Sequence, residues 1–183
     1  MKRFLLLFLA LCALPGTMVF AQTATLAITT NKTVVDGTVN PIEYAFSQDL
    51  GKAKLYVNRT ADTLYVAVVG STSGWVAFGL GSQRMDGATI FMGYVDSSGK
   101  SVFKPQAGRG HGHGDAAQAV QDSVISSAMT EVKGVTTLEV ALKPAAYVKA
   151  GQTALDVIVA LGMGDSFMAM HSFKSPLAIN LAK

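Results

Sequence analysis

Apolar residues recur at every second position through most of this chain. Leu55 and Val57 alternate with polar neighbours, Arg59-Thr60-Ala61-Asp62 turns the chain, and Leu64, Val66 and Val68 resume the alternation. A period of two is the spacing of a strand with one buried face, so this block predicts a hairpin. Residues 75–80 and 89–95 predict the next pair, and residues 100–103 a short strand after the turn Asp96-Ser97-Ser98-Gly99. Residues 120–129 and 135–142 flank a turn at Lys133-Gly134, with Leu138, Val140 and Leu142 on one face. Leu155, Val157, Val159 and Leu161 repeat the pattern, and residues 167–173 form the last clear strand. Only residues 144–148 read as a short helix. Short strands separated by Gly, Asp and Ser turns predict an all-β, immunoglobulin-like antiparallel β-sandwich. Neither a repeat nor a linker interrupts residues 22–183, which read as a single domain.

The start of the chain breaks this pattern. Lys2 and Arg3 precede an apolar run, residues 4–14, too short to span a bilayer. Val19-Phe20-Ala21 then fits a small-residue cleavage site, so residues 1–21 read as a secretory signal peptide. A lipoprotein signal would use Cys12, but Leu11 is bulky for the residue before a lipidated cysteine. Cys12 is the only cysteine. Its removal leaves a periplasmic or secreted product with no disulfide, no thiolate metal site and no thioether-linked haem. Two of the 15 basic residues leave with it, against 12 acidic ones, so the remainder is nearly neutral. No basic stripe suggests a nucleic-acid partner. No later segment reads as a membrane span.

Candidate chemistry concentrates in residues 74–88. An apolar strand leads into a glycine-rich turn, where Met85 stands between Arg84 and Asp86. Methionine usually fills gaps in cores. On a polar loop beside an apolar wall, its thioether suits a soft metal such as haem iron. Gly79, Gly81 and Gly87 around it would let backbone pass close to a ligand. Far downstream, an extended chain would put Phe167, Ala169, His171 and Phe173 on one face. That face offers aromatic walls, a small residue for clearance and one imidazole. A histidine there could also be a packed core residue with its nitrogens satisfied.

The segment Gly74-Trp75-Val76-Ala77-Phe78-Gly79-Leu80-Gly81 resembles a DOMON domain, as do Met85-Asp86-Gly87-Ala88 and Met92-Gly93-Tyr94-Val95-Asp96-Ser97-Ser98-Gly99. Val35-Asp36-Gly37 with Ile42-Glu43-Tyr44 is similar to the start of DOMON and related carbohydrate-binding sandwiches. The likeness spans roughly residues 33–175. That family is a β-sandwich and includes the haem domain of cellobiose dehydrogenase. Its haem-binding members use a methionine just after the Gly-Trp strand and a histidine near the end of the domain. By position, the resemblance implies Met85 and His171 as axial ligands of one non-covalent haem b, with Trp75, Arg84, Met170 and Phe173 around it. Arg84 would face a propionate. Both axial positions would be filled, which implies an electron carrier serving a separate redox partner rather than an independent enzyme.

Three other readings compete. A carbohydrate-binding module on the same sandwich would stack sugars on exposed rings. Trp75 reads as core, however, and nothing groups Tyr44, Tyr56 and Tyr94. The run Ala107-Gly108-Arg109-Gly110-His111-Gly112-His113-Gly114-Asp115 reads as a mobile loop. His111 and His113, with Asp115, could chelate a metal there, and both are alternative iron ligands. Hydrolase chemistry finds no nucleophile elbow and no partner for His171. Asn31-Lys32-Thr33 and Asn58-Arg59-Thr60 match a glycosylation pattern.

Overall fold

The alternation in residues 53–70 becomes two strands buried on both faces, and the rest of the fold is arranged around them. The computed structural model describes residues 25–182; the expected signal peptide and Cys12 lie outside the described residues. Twelve strands follow in order: β1 (Thr25–Leu26), β2 (Phe46–Asp49), β3 (Ala53–Arg59), β4 (Leu64–Gly70), β5 (Val76–Leu80), β6 (Thr89–Val95), β7 (Ser101–Arg109), β8 (Gly112–Asp115), β9 (Val124–Val132), β10 (Val135–Leu142), β11 (Ala154–Gly162) and β12 (His171–Leu181). One short helix, α1 (Gln118–Gln121), precedes β9. A larger sheet runs β1-β12-β11-β5-β6-β7-β8 and a smaller one β2-β3-β4-β10-β9. Pairing is antiparallel except for the two-residue parallel contact of β1 with β12. The chain is therefore all β, a two-sheet sandwich.

Between the sheets lies one apolar core. Val76, Phe78, Phe91 and Val159 face Leu55, Val66, Leu138 and Val140 across it. Phe78 and Phe91 stack with centroids 5.0 Å apart. The neighbouring positions of β5, β6 and β11 point the other way, yet are also apolar: Ala77, Ile90, Met92, Ile158 and Ala160. A sheet with two apolar faces needs a cover on its outer side.

The outer face of the smaller sheet shows how such a cover is fastened. Glu139, 1 % exposed, accepts from the Asp36 N–H at 3.1 Å, the Gly37 N–H at 2.8 Å and the Tyr44 hydroxyl at 2.6 Å. Asn58 donates to the Asn31 carbonyl at 2.9 Å and to Thr33 Oγ1 at 3.1 Å. Together they pin residues 31–44 onto the sheet. Asn58 is buried and its amide doubly engaged, so the second glycosylation pattern is not open to modification in the folded chain. Burial and the Glu139 carboxylate push the Tyr44 phenol well above its ordinary value. The unfolded chain loses that proton near pH 10 while the folded one keeps it, so stability should fall as pH rises past 10. Denaturant titrations at pH 9 and 11 check this, and Tyr44→Phe should flatten the difference.

Three sequence expectations change. Residues 120–129 are not one strand: α1 takes in Val120 and Gln121, and β9 starts only at Val124. The glycine-histidine run is not a loop but the β7–β8 hairpin, with Arg109 paired to Gly112 and Gly110 at φ 58° in the turn. Residues 167–170 form a turn, and β12 starts only at His171. From there it runs to Leu181, through Pro176. β1 pairs only with Asn180 and Leu181, so on that side Pro176 faces no partner and its missing N–H breaks no ladder there.

Candidate cofactor-binding site

The outer apolar face of the larger sheet is the floor of a cavity of about 910 Å³. Its size is within the range of small-molecule and cofactor pockets. Ala77, Gly79 and Ala160 form a low strip, with Ile90, Met92 and Ile158 beside it. Small side chains there leave room for a flat group above the sheet.

The wall at the C-terminal end of β5 is the connection to β6. Ser82 Oγ donates to the Asp86 carbonyl at 2.9 Å and accepts from the Arg84 N–H at 3.1 Å, which folds residues 82–86 into a tight loop. That loop is tied to the β7–β8 hairpin: the Gly110 N–H donates to Asp86 Oδ1 at 2.8 Å and the Gly87 N–H to the Gly108 carbonyl at 3.3 Å. The Met85 main chain lies directly on Gly108, where any Cβ would overlap the Met85 carbonyl oxygen. Met85 is half-buried and lines the pocket, as do Arg84, His111 and half-buried His113. Gly108→Ala should therefore displace the loop at a cost of about 1–3 kcal/mol. Denaturant unfolding measures it, and a loss below about 0.5 kcal/mol would contradict this packing.

The wall at the other end of β5 is residues 163–171. Trp75, 3 % exposed, donates from Nε1 to the Ala169 carbonyl at 3.1 Å. Its indole lies over Gly162, where a Cβ would meet the ring. The Ala169 N–H closes a turn on the Ser166 carbonyl at 3.0 Å. Ala169 and Phe167 pack inward, while Met168 (91 % exposed) and Met170 (84 %) border the pocket. His171 follows, exposed, paired with Gly162 and lining the same pocket. Trp75→Phe removes the bond to Ala169. Amide exchange through residues 163–170 should speed roughly fivefold, the equivalent of about 1 kcal/mol. Unchanged exchange would show that the indole is not what holds this wall.

The structure thus brings Met85, His171, Trp75, Arg84, Met170, His111 and His113 to one cavity. Phe173 is the exception. The register shift between Leu161 and Gly162 turns it inward opposite Leu161, where it packs on the core. The single-face reading of residues 167–173 failed because a turn and a bulge interrupt the alternation. Sequence reasoning missed Lys174, which joins the rim from β12, and Met168. Asp115 is ion-paired with Lys104 at 2.6 Å, and the described residues contain no cluster of three His, Asp or Glu side chains placed to hold a bare metal ion. The donors present are thioethers and imidazoles around an apolar floor. They fit a flat apolar group that brings its own equatorial nitrogens and asks the protein for axial ligands. Tyr44 and Tyr56 are buried on the opposite sheet, and Tyr94 packs edge-on against Phe167 at 5.1 Å, so none is a free sugar platform.

No family model and no curated protein matches this chain. Solved structures do. The cytochrome b domain of pyranose dehydrogenase from Coprinopsis cinerea is similar at a TM-score of 0.56 and 11 % identity, over 75 % of this chain and 81 % of that one. The cytochrome domain of Myriococcum thermophilum cellobiose dehydrogenase is similar at 0.50 and 12 % identity over the same shares. A family 9 carbohydrate-binding module from Caldicellulosiruptor kristjanssonii, in complex with glucose, is similar at 0.51 and 12 % identity, over 86 % of this chain and 95 % of that one. What all of these share with the chain is the β-sandwich fold; none of them is a catalytic domain. No helix among the described residues is long and apolar enough to cross a membrane.

Proposed function

We propose that this protein is an exported electron carrier that holds one non-covalent haem b in the outer-face pocket, with Met85 and His171 as its axial ligands. One observation carries this reading. Two soft or borderline donors, remote in sequence, border one apolar cavity from opposite ends of the same strand. Haem would supply a one-electron couple. The chain's own residues do the rest. Met85 and His171 would hold the iron from the two ends of the pocket, which would leave no open position for a substrate. The thioether favours the reduced iron and raises the potential relative to two imidazoles. Ala77, Gly79 and Ala160 give the ring clearance, and the exposed Met168 and Met170 become its side wall. Arg84 and Lys174 at the rim supply positive charge for carboxylates at the ring edge. Electrons pass to or from a separate redox partner, in the periplasm or outside the cell, and residues 22–183 act as one domain.

A carbohydrate-binding module is the second reading, favoured by the sugar-bound modules of the same fold. Titration with haemin separates the two. A sharp Soret band, with distinct α and β bands on reduction, supports the cytochrome. Absence of any haem spectrum, together with retention on a polysaccharide, supports the module and overturns the cytochrome.

A further inference from the structure

The fold brings all three histidines of the chain to one pocket. Two of them, His111 and His113, sit on the β7–β8 hairpin. His113 is half-buried, and its Nδ1 is shielded from solvent without a partner. Gln106, 5 % exposed, has an equally unpartnered Oε1. Leaving either group unpaired costs free energy, so two such groups on adjacent strands call for an explanation.

Register places them together. Gln106 pairs with Ile90 on one side and Asp115 on the other, and His113 pairs with Gly108. Residues directly opposite in an antiparallel pair share a face, so Gln106, Gly108 and His113 all belong to the pocket side of the sheet. Gln106 and His113 are diagonal neighbours, within reach of long side chains. A protonated Nδ1 is a donor, and the Gln106 Oε1 is an amide acceptor. A hydrogen bond from Nδ1 to the Gln106 amide oxygen would satisfy both groups. That bond would keep the proton on Nδ1 and leave the Nε2 lone pair free, the arrangement that prepares a histidine to bind a metal.

Met85 stands on the same ground. Its main chain lies on Gly108, the residue opposite His113. Met85 and His113 therefore share one end of the pocket, and His171 has the other. We infer that His113 is a second base for the iron position that Met85 occupies, with Gln106 as its positioning residue. The inference rests on the proposed cytochrome reading and adds a second ligand set to it. Were the thioether withdrawn, the His113 imidazole at the same end of the pocket would replace it and supply a lower potential.

Haem-loaded Met85→Leu tests this. It should stay low-spin, with a lower midpoint potential than the wild type. Adding His113→Asn should convert it to a high-spin spectrum and weaken haem affinity tenfold or more. In the haem-free protein, nitrogen NMR should show the Nδ1-protonated tautomer of His113, lost in Gln106→Leu. A high-spin Met85→Leu protein beside a normal wild type overturns this inference alone. So does a double variant that stays low-spin. A wild type that takes up no haem overturns the proposed function, and the inference with it.

Discussion

Replacing His171 by alanine is expected to strip the protein of tightly bound haem. The affinity should fall at least a hundredfold, about 2.7 kcal/mol. His171 is the one imidazole at its end of the pocket. The other two lie on the β7–β8 hairpin, beside Met85. Met168 and Met170 are exposed on a turn, and positioning either long thioether would cost more rotamer freedom than the shorter imidazole of His171, whose backbone is paired in β12. Two signals report the loss independently. One is the Soret band. The other is emission from Trp75, the sole tryptophan, which lines the pocket and should be quenched when haem binds. The substitution is at an exposed position, so the unfolding midpoint of the haem-free protein should barely move. Full haem affinity in His171→Ala would rule this ligand out.

Glu139→Ala should have the largest effect on stability, about 3–5 kcal/mol. Its carboxylate is the shared acceptor for two backbone N–H groups and the Tyr44 hydroxyl, all on the covered face of the smaller sheet. Alanine leaves those donors without their acceptor and opens space beneath residues 31–44. Glu139→Gln keeps one acceptor oxygen but turns an NH₂ group toward donors, and should cost less, about 1–3 kcal/mol. Urea unfolding of both variants measures the difference. The proposed haem pocket is on the opposite sheet, so a folded Glu139→Gln protein should take up haem as the wild type does. A loss below about 1 kcal/mol in Glu139→Ala would mean that water replaces the carboxylate without penalty.

The strands were legible where one rule governed them. β3, β4, β6, β10 and β11 occur where apolar runs bounded by turn residues predict strands. Legibility failed where glycine, proline or alanine obscured the pattern. β8 is half glycine and shows no apolar alternation, so it looked like a loop. Pro176 hid the Leu177, Ile179 and Leu181 alternation of β12. The bulge near Gly162 moved Phe173 to the core while leaving His171 at the pocket, a one-residue slip that no periodicity reveals. Met85 was legible because a thioether in a polar loop is out of place. Its neighbour His113 was legible only as composition. The ladder that sets it beside Gly108 is a local hairpin turning at Gly110-His111, but a run of alternating glycines has no apolar period to reveal it. Glu139 carried no signal beyond its own charge on an apolar strand, because its partners lie about a hundred residues earlier.

X-ray absorption at the iron edge of the haem-loaded protein tests the central claim most directly. A sulfur scatterer in the first shell alongside the nitrogens, lost in Met85→Leu, is the result this account predicts. A shell of nitrogens alone in the wild type, or a protein that retains no iron porphyrin, would contradict it.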